Sequence, residues 1–226
     1  DLTYDQISNY SIESLKPGSG YSDRFKNQKS VEGAKIPKLI DLFKLANKEN
    51  YKDVFLNLEV KSNPNLNDVT PEPKEMVATI LKDIKDYNLE DRIVVTSFDW
   101  RILYELKKQN PNVLRGFLTL QQNLGSTKKN IYENSPWINK EFTMEELFLL
   151  PNIIKSIEGH VWSAFYRDIT KQNVELAHKQ GLAVNVWTVN REQDIIRMIE
   201  YGVDGIITDY PKKVQEICKS KNISWF

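Results

Sequence analysis

Six strand-like stretches alternate with helical ones, joined by short turns, several closed by glycine; this pattern predicts an α/β fold with a parallel sheet and right-handed crossovers. Two observations narrow the fold further. In Val54-Phe55-Leu56-Asn57-Leu58-Glu59-Val60-Lys61, apolar and polar residues alternate, so a carboxylate and an ammonium share one face at the C-terminal end of a strand. Four strand ends carry unusual residues: Glu59/Lys61, Ser97/Phe98, Trp187/Asn190 and Thr208/Asp209. Strand ends converging on one mouth are how a barrel enzyme assembles a site. The reading is a TIM (β/α)8-type barrel forming a single domain over residues 1–226. A closed barrel has eight strands, so its first two β/α units would lie upstream of residue 1. An open, doubly wound sheet of six strands fits the same period.

Residues 1–35 are polar and turn-rich, with Pro17-Gly18-Ser19-Gly20 and Gly33, and read as a loop with a short helix within 4–10. Ile36-Pro37 opens a helix whose apolar face is Leu39, Ile40, Leu42, Phe43 and Ala46. The strand 54–61 follows, then a loop, 62–68, at the expected mouth. Thr70-Pro71-Glu72-Pro73 starts a helix with Met76, Val77, Ile80, Leu81 and Ile84 inward. Residues 92–98 read as a buried strand, 100–108 as a helix ended by Pro111, and 113–119 as a strand. The period then fails over 121–152, a polar stretch, an aromatic segment around Trp137 and a short helix at 144–150. Such a connection is too long for a plain α/β joint and reads as an insertion capping the mouth. Order returns with a strand at 159–163 and a helix at 170–179, with Thr170 as N-cap and Gly181 as stop. A strand at 182–189, a helix at 191–201 stopped by Gly202, a strand at 203–209 and a helix from Pro211 complete the chain.

Composition bounds the function. Hydrophobic residues are 40% and charged residues 27% of the chain, ordinary for a globular protein. Lys+Arg and Asp+Glu are 31 each, so nothing global attracts nucleic acid, and any anion site must be local. Cys218 is the one cysteine and forms no internal disulfide. No apolar run is long enough for a membrane span. Residue 1 is Asp, not Met, which reads as a processed product or a fragment. No Gly-x-Ser-x-Gly, phosphate-binding loop, dinucleotide fingerprint or Cys/His zinc spacing occurs, which weakens hydrolase, kinase and dehydrogenase readings based on those motifs.

At the mouth, Glu59 reads as a hard oxygen ligand for a cation, and Lys61 as a point charge for a phosphate beside it. An edge strand with a solvated ion pair is the alternative. Ser97 can donate to a ligand or start the next helix, and Trp187 can line a pocket or pack in the core. Asp209 reads as the cap of the last helix. His178 sits where a helix C-terminus favours a cation, and His160 reads as structural.

Leu56-Asn57-Leu58-Glu59-Val60-Lys61, Thr96-Ser97-Phe98-Asp99, Val186-Trp187-Thr188-Val189-Asn190 and Gly202-Val203-Asp204-Gly205-Ile206-Ile207-Thr208-Asp209-Tyr210-Pro211 follow one another in a familiar order, with Ile36-Pro37 ahead of them. In these the chain resembles the glycerophosphodiester phosphodiesterases, most of all their longer bacterial, often periplasmic, branch. The resemblance implies a TIM barrel. It implies hydrolysis of glycerophosphodiesters, small-molecule substrates, to glycerol 3-phosphate and an alcohol, with a divalent cation such as Ca2+ or Mg2+. It implies Glu59 as metal ligand, Lys61 as the phosphate-holding catalytic lysine, Ser97 and Phe98 near the glycerol moiety, and Trp187 lining the substrate pocket. The family also has His-Arg, Glu-x-Asp and His-Asp motifs on its first strands. None occurs here, so the chain alone is expected to be poorly active. Two other readings stay open: a barrel phosphodiesterase acting on phospholipids, with Trp137, Ile138 and Phe142 as an apolar rim, and a non-catalytic barrel binding a phosphorylated ligand.

Overall fold

The computed structural model describes residues 2–66 and 69–224. Asn67 and Asp68, in the loop expected at the mouth, lie outside them. The chain divides into two compact units, Asp1–Lys52 and Asp53–Phe226. Among its described residues the first holds three α-helices, α1 (Tyr4–Ile7), α2 (Gly20–Arg24) and α3 (Leu39–Ala46), and a 3-10 turn at Glu49–Tyr51. The Thr3 side chain caps α1 and the Gln6 side chain caps back, the reciprocal pair that lets so short a helix form. Helix α3 starts later than Ile36-Pro37 suggests. Lys38 is extended, and its backbone N–H donates to the Asp41 carboxylate at 3.0 Å, which fixes the start there. Phe43 and Ala46 are buried, whereas Leu42 is exposed.

The second unit carries β1 (Leu56–Glu59), α4 (Pro73–Asp86), β2 (Ile93–Ser97), α5 (Trp100–Gln109), β3 (Leu114–Thr119), α6 (Met144–Leu147), α7 (Leu150–Ser156), β4 (Val161–Phe165), α8 (Lys171–Lys179), β5 (Ala183–Trp187), α9 (Glu192–Tyr201), β6 (Gly205–Ile206) and α10 (Pro211–Ser220). Among the described residues all six strands are parallel and lie in chain order. A doubly wound sheet reverses its order at a switch point. The sequential order is that of a TIM-type α/β fold.

Three boundaries differ from expectation for local reasons. The insertion carries two short helices, because Pro151 lacks an N–H and begins a new helix rather than continuing α6. Strand β4 starts at Val161, two residues late, since Glu158 (φ 61°) and Gly159 close α7, Gly159 N–H donating to Ile154 O at 2.8 Å. A Cβ on Gly159 would lie 2.4 Å from Ile154 Cγ2, so only glycine fits that turn. Asp209 does not cap α10: Tyr210 is the N-cap residue, and the Asp209 carboxylate accepts from Asn190 Nδ2 at 2.6 Å. Thr170 and Gly202 do cap as the sequence indicates, Gly202 in the left-handed region at φ 79°.

Strand register fixes the two faces of the sheet. Glu59, Thr96, Gly116 and Val161 stand level on one face. Ser97, Phe117, Trp162 and Val184 stand level on the other. The second face is the helix-covered one: Phe117 meets Trp100 of α5 edge-on at 5.0 Å, and all four residues are fully or nearly fully buried.

Candidate active site

Glu59 and Lys61 project from the end of β1 and form an ion pair. Both line a cavity of about 680 Å³, an ordinary size for a small-molecule site. Lys61 is 78% exposed and Glu59 35% exposed, so the ammonium reaches open solution while the carboxylate is partly screened by the wall. Phe98 lines the same cavity. Trp187 is not among the lining residues. It stands one ring behind, edge-on to Phe98 at 5.3 Å and tilted against Phe165 at 5.2 Å, with its indole N–H donating to Ser163 O at 3.1 Å. It packs against Phe98 and supports it.

Ser97 takes no place in the lining either. The register places it on the helix-covered face, fully buried. Its hydroxyl donates to Val60 O at 2.8 Å and accepts from Asp99 N–H at 3.0 Å. Asp99 is fully buried, bridged by the Arg101 guanidinium at 2.7 Å, and accepts from the Ser62 hydroxyl at 2.6 Å. Ser97 and Asp99 therefore clip β2 to the two residues flanking Lys61. The arrangement holds the chain around the ammonium; the period-two alternation separated Ser97 from Phe98, but only the register decided which of them faced inward.

The far wall comes from the insertion: Asn123, Ser126, Thr127, Lys128, Lys129, Asn130, Tyr132 and Trp137. The length of 121–152 flagged the segment, not these residues. Asn130 fastens it. Its amide is buried, accepting from Leu120 N–H at 2.7 Å and donating to Leu118 O at 2.9 Å and Phe98 O at 3.2 Å. Trp137 O accepts from Trp100 N–H at 2.8 Å. The insertion's polar and aromatic surface is thereby tied to the ends of β2 and β3. Ile138 is 1% exposed, so it forms no apolar rim; the exposed apolar residues of the insertion include Leu124, Met144, Leu149 and Phe148, the last at 73%.

The family model of the glycerophosphoryl diester phosphodiesterases matches residues 1–213. The chain belongs to this family. Its members are hydrolases. A glycerophosphodiester phosphodiesterase of Caldanaerobacter subterraneus subsp. tengcongensis is 32% identical over 201 residues, covering 89% of this chain and 67% of the relative. A crystal structure from Silicibacter pomeroyi DSS-3, assigned to the glycerophosphoryl diester phosphodiesterases, is 33% identical at a TM-score of 0.84, covering all of this chain and 71% of that one. An Oleispira antarctica phosphodiesterase, solved with the product sn-glycerol-3-phosphate, shares the fold at 20% identity and a TM-score of 0.60, over 82% of this chain and 62% of that one.

A hard cation takes about six to eight oxygens. Glu59 is the one carboxylate lining the cavity, and no group of three or more His, Cys, Asp or Glu side chains comes together among the described residues. These residues do not fit a complete cation site. Both histidines lie at the opposite ends of the strands. His160 precedes β4, its Nδ1 accepting from Arg115 N–H at 3.2 Å, and burial together with the Arg115 charge pushes its pKa down. His178 Nε2 lies 2.9 Å from Asp204, whose carboxylate also accepts from Val184 N–H at 2.7 Å. Among the described residues, no helix is long and apolar enough to cross a membrane.

Proposed function

We propose that the chain grips the phosphate of a glycerophosphodiester and takes part in its hydrolysis to glycerol 3-phosphate and an alcohol. The observation that carries this is the Glu59–Lys61 pair at the mouth of the cavity, in a chain of this family. Hydrolysis adds water at phosphorus and breaks the bond to the alcohol oxygen, which leaves with a proton. Lys61 meets the charge growing on the non-bridging oxygens, and Glu59 holds the ammonium in place. Phe98, backed by Trp187, gives the glycerol carbons an apolar floor. Ser97 is assigned a positioning role, through Val60 and Asp99. The Oleispira relative, bound to sn-glycerol-3-phosphate, supports the choice of ligand.

The divalent cation belongs to the proposal only in part: Glu59 offers one of its carboxylate ligands. Among the described residues no further cation ligand and no proton-transferring group lines the cavity, so no step is assigned to either. Among the described residues no cluster of carboxylates and no histidine lines the mouth, and a second reading, a barrel that binds a phosphorylated ligand without cleaving it, rests on this.

Calorimetric titration with sn-glycerol 3-phosphate and turnover of glycerophosphoglycerol and glycerophosphocholine with Ca2+ or Mg2+ test the proposal. Binding is expected, weakened about tenfold or more by Lys61→Gln, a charge-assisted hydrogen bond being worth about 1.5–3 kcal/mol. Turnover by residues 1–226 alone is expected to be slight, and to appear in a longer chain carrying the family's His-Arg and Glu-x-Asp motifs. Rapid turnover by residues 1–226, abolished by Glu59→Gln, would overturn the division of labour. A longer chain that binds but never cleaves would establish the non-catalytic reading.

A further inference from the structure

We infer that the wall contributed by the insertion is the subsite for the alcohol half of the diester, and that it selects polyol or anionic alcohols against quaternary ammonium ones. This rests on the diesterase reading above and names its substrate class.

A diester entering the cavity must place its phosphate at Lys61, and only one half of the molecule can lie over Phe98. The other half meets the facing wall. That wall holds two kinds of group. Asn123, Ser126 and Thr127, with Asn63 and Asn65 from the loop after β1, offer amides and hydroxyls suited to the oxygens of a polyol. Lys128 and Lys129 add two positive charges. Lys61 is paired with Glu59, and no second carboxylate lines the cavity among the described residues. The surplus charge of the lining is therefore positive and belongs to the insertion.

A choline-like group is bound by open aromatic faces. Tyr132 and Trp137 are present, but the Lys129 ammonium lies over the Tyr132 ring, 5.9 Å from its centroid, so a like charge already occupies that face. A trimethylammonium over that ring meets repulsion, which leaves Trp137 as a single face of the wall rather than a cage. The wall is also built rather than draped. Asn130 and the Trp137 carbonyl fasten its backbone to the strand ends through hydrogen bonds, so the segment that carries the lysines is held at the cavity.

The test is titration calorimetry at low salt with four probes: sn-glycerol 3-phosphate, glycerophosphocholine, glycerophosphoglycerol and glycerophosphoinositol 4-phosphate. The wild-type chain and the variants Lys128→Gln/Lys129→Gln and Lys61→Gln are compared. Expected is binding in the order inositol phosphate, glycerol, choline diester, with about tenfold or more between the extremes, as two partly exposed charges can supply. The double variant should bring that ratio down to about twofold, while Lys61→Gln weakens every probe and keeps the order. Choline diester bound as tightly as the others, or a ratio untouched by the double variant, would overturn the subsite while leaving the diesterase reading intact. Failure of all four probes, sn-glycerol 3-phosphate included, would overturn the diesterase reading and the subsite with it.

Discussion

The two ends of the parallel strands use similar residues to opposite effect. At the N-terminal ends Arg115, His160, His178 and Asp204 all turn to the protein itself. The Arg115 guanidinium donates to Val113 O at 3.1 Å, Pro111 O at 2.9 Å and Glu158 O at 2.8 Å, and burial pushes its pKa down. At the C-terminal ends Glu59 and Lys61 bond each other and face a cavity. Polar groups whose hydrogen bonds close on the main chain hold the fold. Charged groups left facing a concave space have capacity for a ligand. Residue type alone would not separate them: the histidines are the more suggestive residues for catalysis and lie at the structural end.

Mutations sharpen the contrast. The largest effect is expected for Asn130→Ala, which removes the partner of the Leu120 N–H and of Phe98 O and leaves Leu118 O to the Trp100 indole N–H at 3.3 Å. It should cost about 3 kcal/mol of stability in urea titration, and should also weaken sn-glycerol 3-phosphate, because the wall loses its fastening. Arg115→Met at the other end should cost about 2 kcal/mol by the same measurement, leaving three carbonyls without their donor. Its ligand affinity should stay at the wild-type value; a tenfold loss would break the division between the two ends.

The smallest effect concerns His160. Its folded pKa lies below the ordinary histidine value, so the unfolded chain binds the proton more readily. The neutral form favours the fold, and its Nδ1 must be unprotonated to accept from Arg115 N–H. The contribution is complete above the ordinary histidine pKa of about 6.5 and is lost as pH falls through the lower folded value. Urea midpoints measured between pH 7 and pH 5 should fall less steeply for His160→Gln than for the wild type. Equal slopes would show that His160 does not titrate across folding.

Much of this was readable in advance where the physics is local. Alternation over 54–61 placed Glu59 and Lys61 on one face, and the structure keeps them together. Thr170 and Gly202 cap because their conformational preferences act within a turn. Other features needed distant partners. The start of α3 depended on Asp41 reaching back to Lys38, and the late start of β4 on the packing of Gly159 against Ile154. Ser97 and Trp187 stand at the right strand ends, yet neither lines the cavity.

The sequence by itself determined the alternation of strands and helices, the parallel sheet, and the acidic and basic pair at a strand end, because periodicity and capping are properties of neighbouring residues. Tertiary structure alone decided that the strands run in chain order, that Phe98 rather than Ser97 faces the cavity, and that Lys128, Lys129 and Tyr132 line the same cavity as Lys61. Those facts depend on interstrand register and on the path of a long connection, both set by packing between residues far apart in the chain.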